Sequence, residues 1–346
     1  MEVFQGLILS PSGIVEGYVA VEGGIVAEAS EGPPPSPPSA TGLILPSPVN
    51  AHTHCADGAL SVPPGLSIEE LVAPPGGLKH RYLAGASDGE LSESMRRFSG
   101  ASKSFGSKTF MDFREGGAAG CRLLRSADPG AIVLGRPVSE AFDPAEIGEI
   151  LAVADGIGMP SVSDAPSAYL EEVADAARSA GKIFAIHASE RVREDIDLVL
   201  SLDPAFVVHM TEASDSDLLK CAEAEVPIVV CPGSSAYFGK APPARRMLDC
   251  GADVAIGTDN AMLRPPDLRA ESLSLARILE AQGGDPMDAL GALLAGRRIL
   301  YPDREMRIER GARADATVFP CDPRAGALSA LSGRGRAISC RSDGHV

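Results

Sequence analysis

A chain of 346 residues exceeds what one simple hydrophobic core organises, so a barrel-sized domain with additions, or two domains, is expected. Thirty-one basic against 47 acidic residues give a net charge of −16, a field that repels nucleic acid and anionic lipid. No apolar run approaches the roughly 18–20 residues of a membrane-spanning helix, and Met1 to Ser10 lack the basic region and cleavage site of a secretory signal, so neither a membrane nor export but a cytoplasmic location is expected.

Gly17 to Glu28 carries β-branched runs broken by Gly23-Gly24, the pattern of a hairpin. Gly32 to Ser39 holds five prolines, which remove backbone donors, and reads as a stiff loop or linker. Beyond it, eight short apolar runs alternate with amphipathic stretches: Leu43 to His54, Lys108 to Glu115, Ala131 to Arg136, Ile157 to Asp164, Ile183 to His187, Phe206 to His209, Ile228 to Cys231 and Val254 to Asp259. From Glu115 onward the run ends are 21 to 28 residues apart, room for one strand, one helix and two loops. The first interval is far longer and carries an insertion, Cys55 to Met111. Ala168 to Arg178 places Leu170, Val173 and Ala177 on one helical face, and Asp215 to Glu223 opens with helix-capping residues. Two more helices are expected near Asp267 to Ala281 and Pro286 to Leu300, then a turn into a strand at Gly311 to Phe319.

Eight β-then-α units predict an α/β fold, either a (β/α)8 TIM-type barrel or an open doubly wound sheet. The β pieces at both termini predict a small β-sandwich beside it. This divides the chain into residues 1–42 and 304–346 for the sandwich and 43–303 for the barrel.

Four of the six histidines, His52, His54, His187 and His209, fall at predicted strand ends. His52 and His54 are two apart, so on a strand they point to one face and can share a metal. Asp259 ends the eighth run, which neighbours the first if the sheet closes. Imidazole nitrogens with one carboxylate suit Zn²⁺, and also Fe²⁺ or Mn²⁺. A lone strand-end histidine is commonly structural, and Asp after Gly-Thr is commonly a turn; five such residues at matching ends are hard to obtain by chance. The seven cysteines form no CxxC pair and read as reduced thiols.

At these residues the sequence resembles the metal-dependent amidohydrolase superfamily, closest to the branch of cytosine, guanine and adenosylhomocysteine deaminases and triazine hydrolases. The signatures are Asn50-Ala-His-Thr-His54, His187-Ala-Ser-Glu190, His209 after Phe-Val-Val, Cys231 to Pro242, and Gly257-Thr-Asp259. The resemblance implies one divalent metal, zinc first, bound by His52, His54, His187 and Asp259. It implies that His209 holds the metal's water or hydroxide, that Asp259 accepts a proton, and that Glu190 is the proton shuttle. Two departures stand out: the fourth run ends at Asp164 with no lysine, against a two-metal site, and Ser235 stands where the deaminase branch shows Asn.

Arg114 and Glu115, at the second run's end, are candidate substrate contacts or an ion pair. Ser234 and Tyr237 are candidate hydrogen-bonding groups or turn residues. Lys79, His80 and Arg81 lie in a segment read as a solvated loop or a cover for the site, and His345 reads as a surface or disordered residue. The implied reaction is hydrolytic deamination of a nitrogen heterocycle, with dechlorination or cyclic-amide opening as the alternative, and a catalytically silent binding relative as a different class. The expected partner is a small heterocycle, with no nucleic acid and no membrane; a homo-oligomer is compatible with this reading.

Overall fold

The structure, a computed structural model, describes residues 1–10, 13–74, 76–301, 308–333 and 335–340; His345 lies outside them. The Gly-Gly step forms the expected hairpin: β2 (Gly13–Glu22) turns at Gly23 and Gly24, with φ of 55° and 76°, into β3 (Ile25–Glu31). Only glycine takes such angles without a steric cost. An additional strand, β1 (Glu2–Ser10), precedes them and pairs antiparallel with β2.

The run read as Leu43 to His54 is two strands. Pro46 and Pro48 supply no backbone donors, and the run breaks there. The first half, β4 (Ala40–Pro46), runs parallel to β1; the second, β5 (Val49–His54), opens the other sheet. From the far end of the chain, β14 (Ala316–Pro320) pairs antiparallel with β4, and β15 (Ile338–Ser339) closes the edge. The chain ends thus meet in one six-stranded sheet, where Phe4, Ile8, Val19, Ile44 and Val318 are buried together.

The second sheet has nine parallel members. Between β5 and β6 (Thr109–Arg114) the insertion folds into α1 (Ile68–Leu71), α2 (Leu78–Gly85) and α3 (Asp88–Ser104). Then α4 (Gly117–Ala127), β7 (Ile132–Gly135), α5 (Pro144–Val153), β8 (Gly156–Met159), α6 (Ser167–Ser179) and β9 (Ile183–Ala188) alternate. They are followed by α7 (Ile196–Ser201), β10 (Phe206–His209), α8 (Asp215–Glu223), β11 (Ile228–Val230), α9 (Pro232–Tyr237), α10 (Ala244–Asp249) and β12 (Val254–Ile256). Two residues later β13 (Asp259–Asn260) pairs with β5, at Thr53 and His54. Helices α11 (Leu268–Ala281) and α12 (Asp288–Leu300) follow, and α13 (Ala327–Leu331) lies near the C-terminal end.

The outer members β12 and β13 are one stretch of chain, so the sheet curls round until its edges meet, in the manner of a TIM-like barrel. An open doubly wound sheet does not do this. Phe113, Phe206, Leu134 and Val208 fill the interior. The helices pack outside: Leu170, Val173 and Ala177 of α6 are buried, as their spacing requires, and each large apolar side chain so buried contributes about 1.5–3 kcal/mol. All parallel strands point the same way, so the residues ending them share one rim.

Candidate metal centre

On β5, His52 and His54 project to the same side, with ring centroids 4.9 Å apart. The strand-end residues of β9 and β10 join them: His187 is 4.9 Å from His52 and 5.7 Å from His54, and His209 is 5.4 Å from His187. Asp259 closes the set, its Oδ1 3.4 Å from His52 Nε2 and 3.7 Å from His54 Nε2. His209 and Asp259 hold left-handed φ values of 78° and 57°, uncommon outside glycine. β10 therefore ends, and β13 begins, in a kink at the residue presented to the centre.

Two histidines have fixed tautomers. His187 Nδ1 faces the Met159 carbonyl at 2.8 Å, and His54 Nδ1 lies 3.1 Å from the Phe113 carbonyl and 2.9 Å from Glu115 Oε1. These partners only accept, so Nδ1 carries the proton and Nε2 is a lone pair turned toward the cluster. His52 is different: it is fully buried, and neither ring nitrogen has a hydrogen-bond partner. His209 Nδ1 is orphaned too. Buried groups left this way cost about 1–3 kcal/mol each. A cation accepting the His52 lone pair removes part of that cost, and the donors of His52, His54 and His187, and of His52, His209 and Asp259, lie within 4.8 Å of one another. The residues present fit a divalent ion.

The electrostatics agree with this. Burial lowers His52 and His209 to about 4 and His187 well below its usual value, so these three imidazoles are neutral at pH 7. Burial works against the Asp259 carboxylate, but His52 and its neighbours hold its pKa well below the ordinary range. Glu190 is pushed up to about 8 by burial and by Asp259.

No protein-family model matches the chain. It is 36% identical over 256 residues to an uncharacterised protein of Methanocaldococcus jannaschii, covering 66% of each. It is 35% identical over 264 residues to a putative aminohydrolase of Archaeoglobus fulgidus, covering 76% of each. An adenosine deaminase of Xanthomonas campestris with bound zinc shares the fold, with a TM-score of 0.73, 20% identity, and 95% of this chain and 88% of that one covered. The chain belongs to the metal-dependent amidohydrolase superfamily. It is accordingly a hydrolytic enzyme.

Within this amidohydrolase, Glu190 is brought inward by Ser189, whose φ of 48° turns the chain after β9, and its Oε1 comes within 3.6 Å of His209 Nε2. Lys240 holds that turn by donating to the Glu190 and Arg191 carbonyls at 3.0 and 3.2 Å. Ser234 Oγ donates to Asp259 Oδ2 at 2.5 Å, so it orients the carboxylate. Tyr237, at the far end of α9, is 38% exposed and points its hydroxyl toward the Pro63 carbonyl; it is not brought to the cluster. Arg114 is buried and committed to Asp112 and Glu115, and Glu115 to Lys79, His54 and Arg114. They form the ion pair that their adjacency allowed, in the wall of a chamber beside the cluster.

Lys79 lies in the segment read as a solvated loop or a cover for the site, and Asn50 and Arg136 were given no role of their own. Lys79, on α2, is buried with its Nζ 2.7 Å from Glu115 Oε1, so the insertion covers the site rather than forming a solvated loop. Asn50 ties β5 to the β12–β13 step. Arg136 borders the well above the cluster, and the strand-end rule would have found it, since it closes the predicted third run.

Proposed function

We propose that this amidohydrolase is a mononuclear, metal-dependent deaminase of a nitrogen heterocycle, releasing ammonia. The observation that carries the reading is the convergence of His52, His54, His187 and Asp259, with His209 and Glu190 beside them, at one strand rim. His52, His54, His187 and Asp259 would hold one divalent ion, with zinc the first choice and iron or manganese compatible with the same donors. No lysine ends β8, which favours one ion over two. When bound, the ion supplies Lewis acidity that brings a water pKa from 15.7 toward ~7.

In this reading His209 orients the attacking water through Nε2, and Asp259 takes its proton. Glu190, whose Oε1 lies 3.6 Å from His209 Nε2, delivers a proton to the ring nitrogen next to the attacked carbon. The water oxygen bonds to the carbon bearing the amino group, the proton held by Asp259 passes to the amino nitrogen, the C–N bond breaks and ammonia leaves, and the second water proton returns to Glu190 as the ring carbonyl forms. Ser234 keeps Asp259 aimed. We also read the six-stranded sheet, β4 included, as a small β domain beside a closed (β/α)8 barrel that begins at β5.

The test is metal analysis of protein purified without chelator, followed by an ammonia-release screen over pyrimidines, purines, pterins and triazines. About one metal per chain and ammonia from one ring class are expected. Stoichiometric metal with no ammonia would move the reading to dechlorination or cyclic-amide hydrolysis; no metal would end it.

A further inference from the structure

Directly over the cluster lies a well of about 60 Å³, bordered by His54, His187, Glu190, His209 and Asp259. A water needs roughly 10–15 Å³ by the same measure, so this well admits the reacting edge of a ring and little more. Beside it lies a chamber of about 740 Å³. The two share Pro74, Arg136, Pro160 and Asp164 as walls, and Leu83, Leu91, Leu123 and Tyr169 make much of the chamber apolar. A free nucleobase would leave that chamber to water.

Arg136 stands at the junction. Among the described residues its side chain has neither a hydrogen bond nor an ion pair, although Glu115 and Asp164 lie near enough to influence it. Both carboxylates are taken: Glu115 by Lys79 and Arg114, Asp164 by Ser161 Oγ at 2.8 Å and by Arg191 at 3.4 Å. The contrast with Arg114 is instructive. Burial acts on both guanidiniums, but in Arg114 the Glu115 and Asp112 carboxylates prevail and raise the pKa, whereas in Arg136 burial prevails and lowers it. A half-buried guanidinium with unused planar donors, in a largely apolar wall, is suited to a ligand's acidic group.

We propose that the substrate has two parts: a heterocycle whose reacting carbon enters the well, and a bulky, mainly apolar substituent that lies in the chamber and carries an acidic group held by Arg136. This rests on the deaminase reading for the head of the substrate, while the chamber and Arg136 define the tail. Carboxylate and phosphate share the required chemistry.

The experiment compares, on the metal-loaded enzyme, an aminopurine base, its derivative with a neutral aryl-alkyl substituent, and that derivative ending in a carboxylate or in a phosphate. The kcat/KM should rise from base to neutral derivative to one of the acidic ones, and the better acid identifies the group. In Arg136→Met the preference for the acidic over the neutral derivative should fall about 10- to 100-fold, mainly through KM. Arg136→Lys should restore part of it. Ala119→Trp, at an exposed chamber position, should lower kcat/KM for the substituted compounds at least tenfold. Free base turned over as well as the derivatives, or an unchanged preference in Arg136→Met, would overturn the proposal. If no compound releases ammonia, calorimetric binding of the acidic derivatives decides. Binding weakened by Arg136→Met upholds the two-part ligand while the deaminase reading falls; binding unaffected by it overturns the inference.

Discussion

Asn50 and Thr258 exchange two hydrogen bonds across the seam where the first and last barrel strands meet: Asn50 Nδ2 donates to Thr258 Oγ1 at 2.7 Å, and the Thr258 N–H donates to Asn50 Oδ1 at 3.0 Å. Thr258 also donates its N–H toward the His52 carbonyl at 3.1 Å, and the next residue is Asp259. The seam therefore sets how far the carboxylate stands from the two histidines of β5. Asn50→Ala deletes a donor and an acceptor in a fully buried place, at a cost of about 1–3 kcal/mol. A lower melting temperature and weaker metal retention are expected, read by thermal unfolding and by dialysis followed by metal analysis. A variant that keeps both would show that the seam does not fix Asp259.

The roles assigned to Glu190 and His187 separate in their metal content. Glu190→Gln leaves the four proposed ligands in place, so metal should stay near one per chain while turnover falls by about 10² or more, the usual scale for losing a proton-transfer group. His187→Ala removes a donor and should lose both metal and turnover. Chelation of the wild type should mimic it, with a lower melting temperature restored by adding back Zn²⁺, because binding to the folded state alone stabilises it. A fully active Glu190→Gln would remove the shuttle assignment; metal retained in His187→Ala would remove that ligand.

Gly257 is the glycine of Gly257-Thr-Asp259, and the requirement for it is one of space. A Cβ there would stand 2.7 Å from the His52 carbonyl oxygen and 2.8 Å from His52 Cβ, closer than real Cβ atoms approach. The obstacle is backbone, which cannot swing away as a long side chain can. Gly257→Ala should push the β12–β13 step from β5 and separate Asp259 from His52, lowering stability by about 1–3 kcal/mol, the usual cost of overpacking. Denaturant unfolding and metal stoichiometry check it. Wild-type values in both would mean that the seam yields without moving the carboxylate.

How much of this was legible follows from what each signal depends on. The strand-end histidines could be read because histidine is rare in this chain, and Asp259 because it ends a run; their spacing follows the β/α repeat, which a closed sheet converts into proximity. Glu190 could be named but not aimed, since its direction depends on the left-handed turn at Ser189. Lys79 could be placed only in a segment that was either a solvated loop or a cover, because it arrives on α2 in an insertion with no counterpart in the repeat. Arg114 lies at a strand end, yet which way it points is decided by Asp112 and Glu115, neighbours whose pairing only packing reveals. The break after Pro46 was visible in composition but was outweighed by the apolar run that continues across it.

The final prediction concerns Glu271, far from the rim in sequence but joined to its loop. On α11 it is 3% exposed, and its Oε2 accepts the Gly233 N–H at 2.7 Å, next to the Ser234 that orients Asp259. Burial pushes its carboxyl up to about 7, against the opposing pull of the Gly233 N–H and of Arg264. An acid whose folded pKa is raised favours the folded state when protonated. That contribution is fully present below the unfolded value of 4.5 and is lost as the pH climbs through about 7. At about 1.4 kcal/mol per pKa unit the whole swing is on the order of 3 kcal/mol. Glu271→Gln keeps a carbonyl acceptor for Gly233 and cannot ionise. Urea unfolding at pH 5, 6.5 and 8 should therefore show the variant gaining on the wild type by roughly 2–3 kcal/mol across the series. A difference that stays flat would mean that Glu271 ionises as freely in the folded chain as in the unfolded one, and that its buried bond to Gly233 is made by a carboxylate at every pH tested.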